Sequence, residues 1–160
     1  MVRVVEFETK YQDEVVRLIV QIQHDEFEIA ITADDQPDLM SVPAFYQTGN
    51  GNFWMALEGE EVVGTIALLD IGNDEAALRK MFVAPAYRGA TGVGKRLLTT
   101  LMEWAQSKGV RKIYLGTTEK FLAAHRFYEK NGFSLIGKDQ LPPSFPLMQF
   151  DTRFYVTVVS

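Results

Sequence analysis

The chain has 160 residues, of which 47% are hydrophobic and 23% charged, and its formal net charge is −5. This composition is typical of one globular domain, which we predict over residues 1–160. The sequence shows no signal peptide and no apolar stretch near the roughly 20 residues that cross a bilayer, so we expect a cytoplasmic protein with no membrane partner. Because the chain has no cysteine and only two histidines, a disulfide scaffold, a thiol nucleophile and a zinc-thiolate site are excluded, and we predict no metal.

The N-terminal part of the chain predicts a strand, a helix and an acidic loop. Residues 2–8 are rich in β-branched side chains, which favour a strand. Residues 11–27 place apolar side chains at helical spacing, so we predict an amphipathic helix there. Residues 25–38 contain six acids and no base, and we interpret most of them as a loop that leads to a short helix near residues 39–46.

The middle of the chain predicts an antiparallel meander. Strands over residues 53–57 and 62–69 flank the turn Gly59-Glu60 and form a hairpin by the spacing rule. A second turn at Gly72-Asn73 leads to a strand over residues 76–83. Three strands in succession therefore lie side by side in one sheet.

A crossover unit follows the meander. The strand over residues 76–83, a helix over residues 92–108 and a strand over residues 112–117 make the two strands parallel. A helix over residues 121–130 and strands over residues 133–137 and 152–159 complete the pattern. We predict a mixed α/β domain with a mostly antiparallel sheet of about seven strands and helices on both faces.

The charges are segregated along the chain. Residues 1–78 carry 3 basic and 16 acidic side chains, whereas residues 79–112 carry 8 and 1. A basic stretch in an acidic protein predicts a compact anionic ligand, because nucleic acid would need a broadly basic surface. Glycines of this stretch lie at the start of a predicted helix, where free N–H groups favour phosphate.

Three phosphate-binding patterns compete for this glycine-rich turn. The P-loop pattern fails because Arg96, which follows Gly94-Lys95, has no hydroxyl to hold Mg²⁺. The dinucleotide pattern begins at Gly92 and Gly94, but Leu97 stands at its third glycine and no acid follows at the ribose position. A P-loop NTPase and a nicotinamide enzyme are therefore disfavoured.

The third pattern is R/Q-x-x-G-x-G/A at the start of a helix that follows an antiparallel meander. Residues 78–98, with Arg88-Gly89-Ala90-Thr91-Gly92-Val93-Gly94 at their centre, contain a variant of it, and residues 124–133 are Ala-His-Arg-Phe-Tyr-Glu-Lys-Asn-Gly-Phe. The first stretch resembles the coenzyme A motif of the GNAT acetyltransferase superfamily, and the second is similar to that family's second motif, A-x-x-F-Y-x-x-x-G-F. Two departures are visible. Arg88 lies one residue further from Gly92 than is usual, and Phe121 stands where many members have an asparagine that contacts the cofactor arm.

The resemblance implies a single GNAT-like domain that acts as an acetyl-CoA-dependent N-acetyltransferase on a primary amine of a small molecule or peptide. It implies that Met81 and Val83 offer backbone groups to the pantetheine arm and that Tyr128 donates a proton to the departing thiolate. The residues implied to hold the phosphates are Arg88, Gly89, Thr91, Gly92, Val93, Gly94, Lys95 and Arg96. A coenzyme A-binding module without catalysis is the alternative.

Three points stay open in the sequence. The general base is open between Glu75, Asp70, Glu28 and His125. The acidic residues 25–38 fall where the family builds its acceptor pocket, so we expect them to attract a cationic acceptor. The proline-rich residues 142–146 predict either a wall of that pocket or a contact between the subunits of a homodimer.

Overall fold

The chain forms one seven-stranded sheet with helices packed on both of its faces. The structure, a computed structural model, describes residues 1–28 and 31–159, with the backbone alone at Phe27 and Ala90. Within these residues the strands are β1 Val2–Glu6, β2 Asn52–Glu58, β3 Glu61–Gly72, β4 Glu75–Val83, β5 Lys112–Thr117, β6 Ser134–Ile136 and β7 Arg153–Val158, and the α-helices are α1 Gln12–Phe27, α2 Val42–Phe45, α3 Val93–Ser107 and α4 Leu122–Lys130.

The strand order in the sheet is β1-β2-β3-β4-β5-β7-β6. Every neighbouring pair is antiparallel except β4 and β5, which are parallel and are joined through α3. The predicted fold class is therefore confirmed, including the meander of three strands and the crossover unit.

Strand β2 shows how the sheet separates two apolar cores. Phe53 and Met55 pack into a cluster that includes side chains of α1, whereas Trp54 and Ala56 pack into a cluster that includes side chains of α3. Successive side chains of a strand point to opposite faces, so a strand that is apolar at every position must be covered on both. Helices α1 and α3 supply the two covers.

Helix α3 matches its predicted bounds closely because glycines limit it at both ends. Gly92 precedes it with φ 71° and Gly109 follows it with φ 76°, a left-handed conformation that glycine adopts without steric penalty. Leu97, Leu101 and Ala105 recur four residues apart and are fully buried against the sheet.

The helix predicted near residues 39–46 is divided in two. A 3₁₀ turn spans Pro37–Met40, and α2 begins separately at Val42. Pro43 lies in the first turn of α2, where its missing N–H is harmless, whereas in the interior of one helix over residues 39–46 it could not donate to residue 39 and its ring would clash with that carbonyl. No helix among the described residues is long and apolar enough to cross a membrane.

Candidate active site

The sheet opens between β4 and β5. These strands pair only at residues 75–77 and 112–114, and beyond that point β4 pairs with β3 and β5 pairs with β7. Their facing edges are therefore free of strand pairing, and a cavity of about 580 Å³ occupies the opening. Residues 78–82 of β4 and residues 116–118 at the end of β5 line it. An extended ligand with amide groups can hydrogen-bond to such edges.

Strand β4 contains a bulge at the cavity. Thr65 and Ala67 of β3 face Phe82 and Arg79, so β4 carries one more residue than its partner. Lys80 takes up the extra residue with φ 55°, and its carbonyl accepts a 2.7 Å hydrogen bond from the hydroxyl of Thr65. A bulge redirects side chains and is common beside active sites.

The backbone groups of Met81 and Val83 face the open edge of β4. The amide of Ala84 donates to the Val63 carbonyl of β3 at 2.8 Å. Because alternate residues of an antiparallel strand direct their backbone groups to opposite edges, those of Val83 and Met81 are directed away from β3. Met81 lines the cavity, whereas Val83 lies beyond its lining and its carbonyl accepts a hydrogen bond from Arg88, so their role as backbone partners of the cofactor stays a prediction.

The glycine-rich turn follows β4 and leads into α3. Gly89–Thr91 form one 3₁₀ turn, and this turn accommodates the extra residue between Arg88 and Gly92. A Cβ at Gly89 or Gly92 would have no atom within 4 Å, so both positions face open space. The first N–H groups of α3 have no partner inside the helix. The turn therefore presents free amides to open space at a helix N-terminus, which is the geometry that an anion site requires.

The side chains of the glycine-rich turn offer fewer free hydrogen-bond donors to a phosphate than its backbone does. The Thr91 hydroxyl donates to the Tyr87 carbonyl, and the Val93 side chain is buried in the core. A Cβ added to Gly94, in the first turn of α3, would meet a Met81 side-chain carbon at 3.4 Å. These residues can hold a phosphate through backbone amides, which is the role predicted for a glycine-rich turn.

Tyr128 of α4 lies in the wall of the cavity. Its side chain is 5% exposed, and its ring packs against Phe133 and Tyr155 with centroids 5.6 and 6.1 Å apart. Its hydroxyl has no hydrogen-bond partner among the described residues, and burial raises its pKa above that of a free phenol. The group therefore stays protonated and has a free donor. Phe121, at the start of α4, lines the same cavity.

Comparison with known proteins identifies the family. Residues 16–133 match the model described as the acetyltransferase (GNAT) family. The chain belongs to the GNAT family. The matched region runs from α1 to the third residue after α4, so it contains both motifs that carry the resemblance. The predicted family is confirmed.

Solved structures share this GNAT fold over the whole chain. An acetyltransferase of the GNAT family from Staphylococcus aureus Mu50 has a TM-score of 0.96 and 38% identity, with 100% of both chains covered. The PaiA N-acetyltransferase of Thermoplasma acidophilum, in complex with coenzyme A, has a TM-score of 0.75 with 99% of both chains covered. At 16% identity, the second likeness shows the fold alone.

Curated relatives match a smaller part of the chain. N-acetylaspartate synthetase of Danio rerio is 33% identical over 105 residues, which are 64% of this chain and 37% of the relative. The GNAT chain thus spans little more than a third of that relative's length.

Arg88 is already engaged in this GNAT chain. Its guanidinium donates to both carboxylate oxygens of Glu26 near the end of α1, at 2.5 and 2.9 Å, and to the Val83 carbonyl at 2.8 Å. A phosphate would have to compete with the Glu26 carboxylate for these donors. The predicted contact between Arg88 and phosphate therefore involves an exchange of partners.

Lys95 and Arg96 also have protein partners. The ammonium of Lys95 donates to the Asn131 side chain beside the end of α4, and Arg96 donates to the Val2 carbonyl of β1 at 2.7 Å. Both side chains are exposed, and neither lines the cavity. Their predicted role at the phosphates stays a prediction.

None of the four residues considered as general base lines the cavity. Glu75 begins β4 at the paired end of the opening, and Asp70 accepts hydrogen bonds from turn amides. Glu28 is exposed at the end of α1. His125 is buried, with a ring nitrogen 2.9 Å from the Thr118 carbonyl. The structure does not bring these groups to the cleft.

Asp151 is an acid in the cavity wall that the sequence analysis missed. The amide of Thr152 donates to the Thr117 carbonyl at 2.9 Å and so holds this segment against the end of β5. A Cβ at Gly116 would lie 2.5 Å from Oδ2 of Asp151, so glycine there leaves room for the carboxylate. Burial raises the pKa of Asp151 to about 6. Gly116 was the available signal, since glycine inside a strand often marks a close approach.

A buried polar network closes the cavity on the side of α1. Lys80 donates to Gln36 at 2.7 Å and forms an ion pair with Asp38 at 3.4 Å, and both charged side chains are 8% exposed. The Tyr46 hydroxyl donates to Asp38 at 2.6 Å, and Gln23 exchanges side-chain hydrogen bonds with Gln36. Burial lowers the pKa of Lys80 and raises that of Tyr46.

Three of the six acids in residues 25–38, namely Glu26, Asp35 and Asp38, have partners among the described residues. Glu26 pairs with Arg88, Asp38 pairs with Lys80, and of the six acids Asp35 alone lines the cavity. Residues 29 and 30 lie outside the described residues. The expected attraction for a cationic acceptor stays a prediction.

The proline-rich residues 142–146 reach the cavity at their C-terminal end. Phe145 and Pro146 line it, together with residues 148–151. This placement agrees with the interpretation of the segment as a wall of the acceptor pocket. The alternative contact in a homodimer stays a prediction.

Proposed function

We propose that this chain transfers an acetyl group from acetyl-CoA to a primary amine of a small molecule or peptide. The proposal rests on one arrangement: Tyr128 lines the cavity between the unpaired edges of β4 and β5, and an open anion site follows β4. Membership of the acetyltransferase (GNAT) family supports it.

The residues present fit coenzyme A. The unpaired edge of β4 at Met81 suits an extended arm with amide groups, and the first amides of α3, which have no partner inside the helix, suit a pyrophosphate. The Val83 carbonyl, which accepts from Arg88, becomes available to the arm when Arg88 exchanges partners. The structural neighbour from Thermoplasma acidophilum binds coenzyme A in the same fold, which is consistent with this assignment. Acetyl-CoA supplies the activated thioester, and the protein supplies orientation and proton transfer.

Two of the titratable groups that line the cavity, Asp151 and Tyr128, suit the two proton transfers of acyl transfer. The amine must lose a proton before its nitrogen attacks the thioester carbonyl, and the Asp151 carboxylate can accept that proton. As the C–S bond breaks, the leaving sulfur takes a proton from the Tyr128 hydroxyl. A base with a pKa of about 6 is ionised at neutral pH, whereas the phenol stays protonated.

Acetyl transfer across an amine panel tests the proposal. We expect an acetylated product by mass spectrometry together with one released coenzyme A thiol for each product. Acetyl-CoA should also raise the melting temperature, whereas ATP and NAD should not, because ligand binding stabilises the native state. Stabilisation by acetyl-CoA without transfer to any amine would instead support the non-catalytic coenzyme A-binding module. The cytoplasmic location and the homodimer stay predictions.

A further inference from the structure

Arg79 places a cation in the cavity on the far side of the sheet from Tyr128. Its guanidinium carbon lies 5.8 Å from the ring centre of Phe45, the last residue of α2, and 5.9 Å from that of Tyr46, which follows it. Tyr128 packs in the core beneath α3 and α4. Since both residues line one cavity, that cavity passes through the sheet between β4 and β5. A cofactor and an acceptor can therefore enter from opposite faces.

No carboxylate of the described residues pairs with the guanidinium of Arg79. The neighbouring Lys80, by contrast, is paired with Asp38. Its polar contact is the Met148 sulfur at 3.3 Å, a weak acceptor. Most of its N–H donors are left for a ligand. A half-buried guanidinium of this kind suits a carboxylate, which it can hold with two parallel hydrogen bonds.

Asp151 supplies the opposite charge in the same cavity. It is not in ion-pair contact with Arg79, yet the charge of Arg79 lowers the pKa that burial has raised, so the two groups lie within electrostatic reach. A cation and an anion that share a pocket without pairing are complementary to a molecule that carries both charges. An amine with a nearby carboxylate is such a molecule.

We propose that the acceptor is a compact amine that also carries a carboxylate, that Arg79 binds this carboxylate, and that the amine faces Asp151. This inference rests on the proposed acetyl transfer and narrows its acceptor class from amines in general to amino acids and similar molecules. A peptide amine, whose neighbouring carboxyl group is an amide, lacks the group that Arg79 would bind.

Matched acceptors test the inference. The panel pairs each of a set of L-amino acids and ω-amino acids with its carboxamide, and kcat/KM for acetylation is measured for both members. We expect the best acid to be preferred over its amide by about 10- to 100-fold, the range that a charged hydrogen bond supplies. In Arg79→Gln that preference should fall to within about threefold, since the charged partner is gone. Arg79→Lys keeps the positive charge but not the two parallel N–H donors of the guanidinium, so it should retain part of the preference for the acid.

A control variant separates the binding of the carboxylate from general charge. Arg17→Gln removes one exposed cation from α1, outside the cavity, and should leave the preference unchanged. Amides acetylated as efficiently as acids by the wild type, or an acid preference that survives in Arg79→Gln, would overturn the inference and leave the proposed transferase activity standing.

Acceptor binding provides a readout that does not depend on turnover. Calorimetry with the coenzyme A-saturated protein should show binding of the acid and loss of that binding in Arg79→Gln. If no amine is acetylated but the acid still binds through Arg79, the carboxylate site stands and the proposed transfer fails. If the acid binds no better than its amide, the carboxylate site fails, whatever the outcome of the transfer assay.

Discussion

Tyr128 differs from Tyr155, the other buried tyrosine of its core, because its hydroxyl has no partner among the described residues. The neighbouring Tyr155 hydroxyl donates to Glu129 at 2.6 Å and accepts from Arg153 at 2.8 Å. A buried phenol normally finds such a partner. The exception lies in the cavity, where a ligand can take the free donor.

We predict that Tyr128→Phe lowers kcat by about 10²- to 10⁴-fold, the range typical of a lost general acid. The free energy of unfolding should change by less than about 0.5 kcal/mol, because no protein hydrogen bond is removed. Steady-state kinetics and urea unfolding measure both effects. Tyr155→Phe is the matched control and should show the reverse, a loss of stability with little change in kcat. Unchanged turnover in Tyr128→Phe at saturating substrates would exclude it as the acid.

The raised pKa of Asp151 predicts that the free energy of unfolding depends on pH. Its pKa of about 6 in the folded chain lies above the value of about 3.9 for an unfolded aspartate, so the folded state binds the proton more tightly. This carboxyl therefore stabilises the fold most below about pH 4, and its contribution falls as the pH rises to about 6.

The uncharged variant Asp151→Asn lacks this dependence. Its melting temperature relative to that of the wild type should rise between about pH 4 and pH 6 and stay constant above that range. Melting curves of both proteins from pH 4 to pH 8 measure the difference. Asp35→Asn is the control, because it removes another carboxylate from the wall of the same cavity. A difference that is the same at pH 4 and pH 8 would contradict the prediction.

At the scale of elements, α1 is coupled to the glycine-rich turn. Its penultimate residue, Glu26, holds the Arg88 guanidinium with two hydrogen bonds. If Arg88 binds a phosphate as the resemblance implies, the carboxylate competes with the ligand for the same donors. The end of α1 then lowers the affinity for acetyl-CoA.

We predict that Glu26→Gln raises the affinity for acetyl-CoA by up to about fivefold, because an exposed ion pair contributes at most about 1 kcal/mol. Calorimetric titration measures the change. Asp25→Asn removes a neighbouring exposed acid and controls for the general loss of negative charge. The gain should vanish in the double variant Glu26→Gln/Arg88→Gln. Equal gains from Glu26→Gln and Asp25→Asn would show that charge alone, and not the release of Arg88, is responsible.

The elements were predictable to the extent that local patterns determine them. Helix α3 and the meander follow from side-chain period and glycine turns, both of which are visible in neighbouring residues. The interruption of the helix predicted near residues 39–46 also has a local cause, since Pro43 stands in the sequence.

The candidate site was predictable only where a motif carries it. Tyr128 and the glycine-rich turn lie in contiguous stretches, so the resemblance could place them. Asp151 meets Gly116 through tertiary packing, and the Lys80–Asp38 ion pair joins the bulge of β4 to the 3₁₀ turn Pro37–Met40. In the sequence, Arg79 is one of the eight basic residues of the stretch 79–112 and has no feature that distinguishes it. That none of the described carboxylates forms an ion pair with Arg79 is visible only in the folded structure.

At the scale of the whole molecule, the two cores share the same strands. The cluster beneath α3 and α4 includes residues from Trp54 to Tyr155, and the cluster beneath α1 uses the opposite face of β2 and β3. Neither core can be removed without exposing one face of the central strands. This arrangement agrees with the single domain predicted for residues 1–160.

We therefore predict that the chain unfolds in one cooperative transition. Trp54 and Trp104, whose ring centroids are 5.9 Å apart, report by fluorescence on the face covered by α3, whereas far-UV circular dichroism also reports on α1. The two signals should give the same urea midpoint, because neither face is stable alone. Acetyl-CoA at about 100 times its Kd should stabilise the fold by about 2.7 kcal/mol and move both midpoints equally. Two separate midpoints, or a shift of only one, would show that the faces unfold independently.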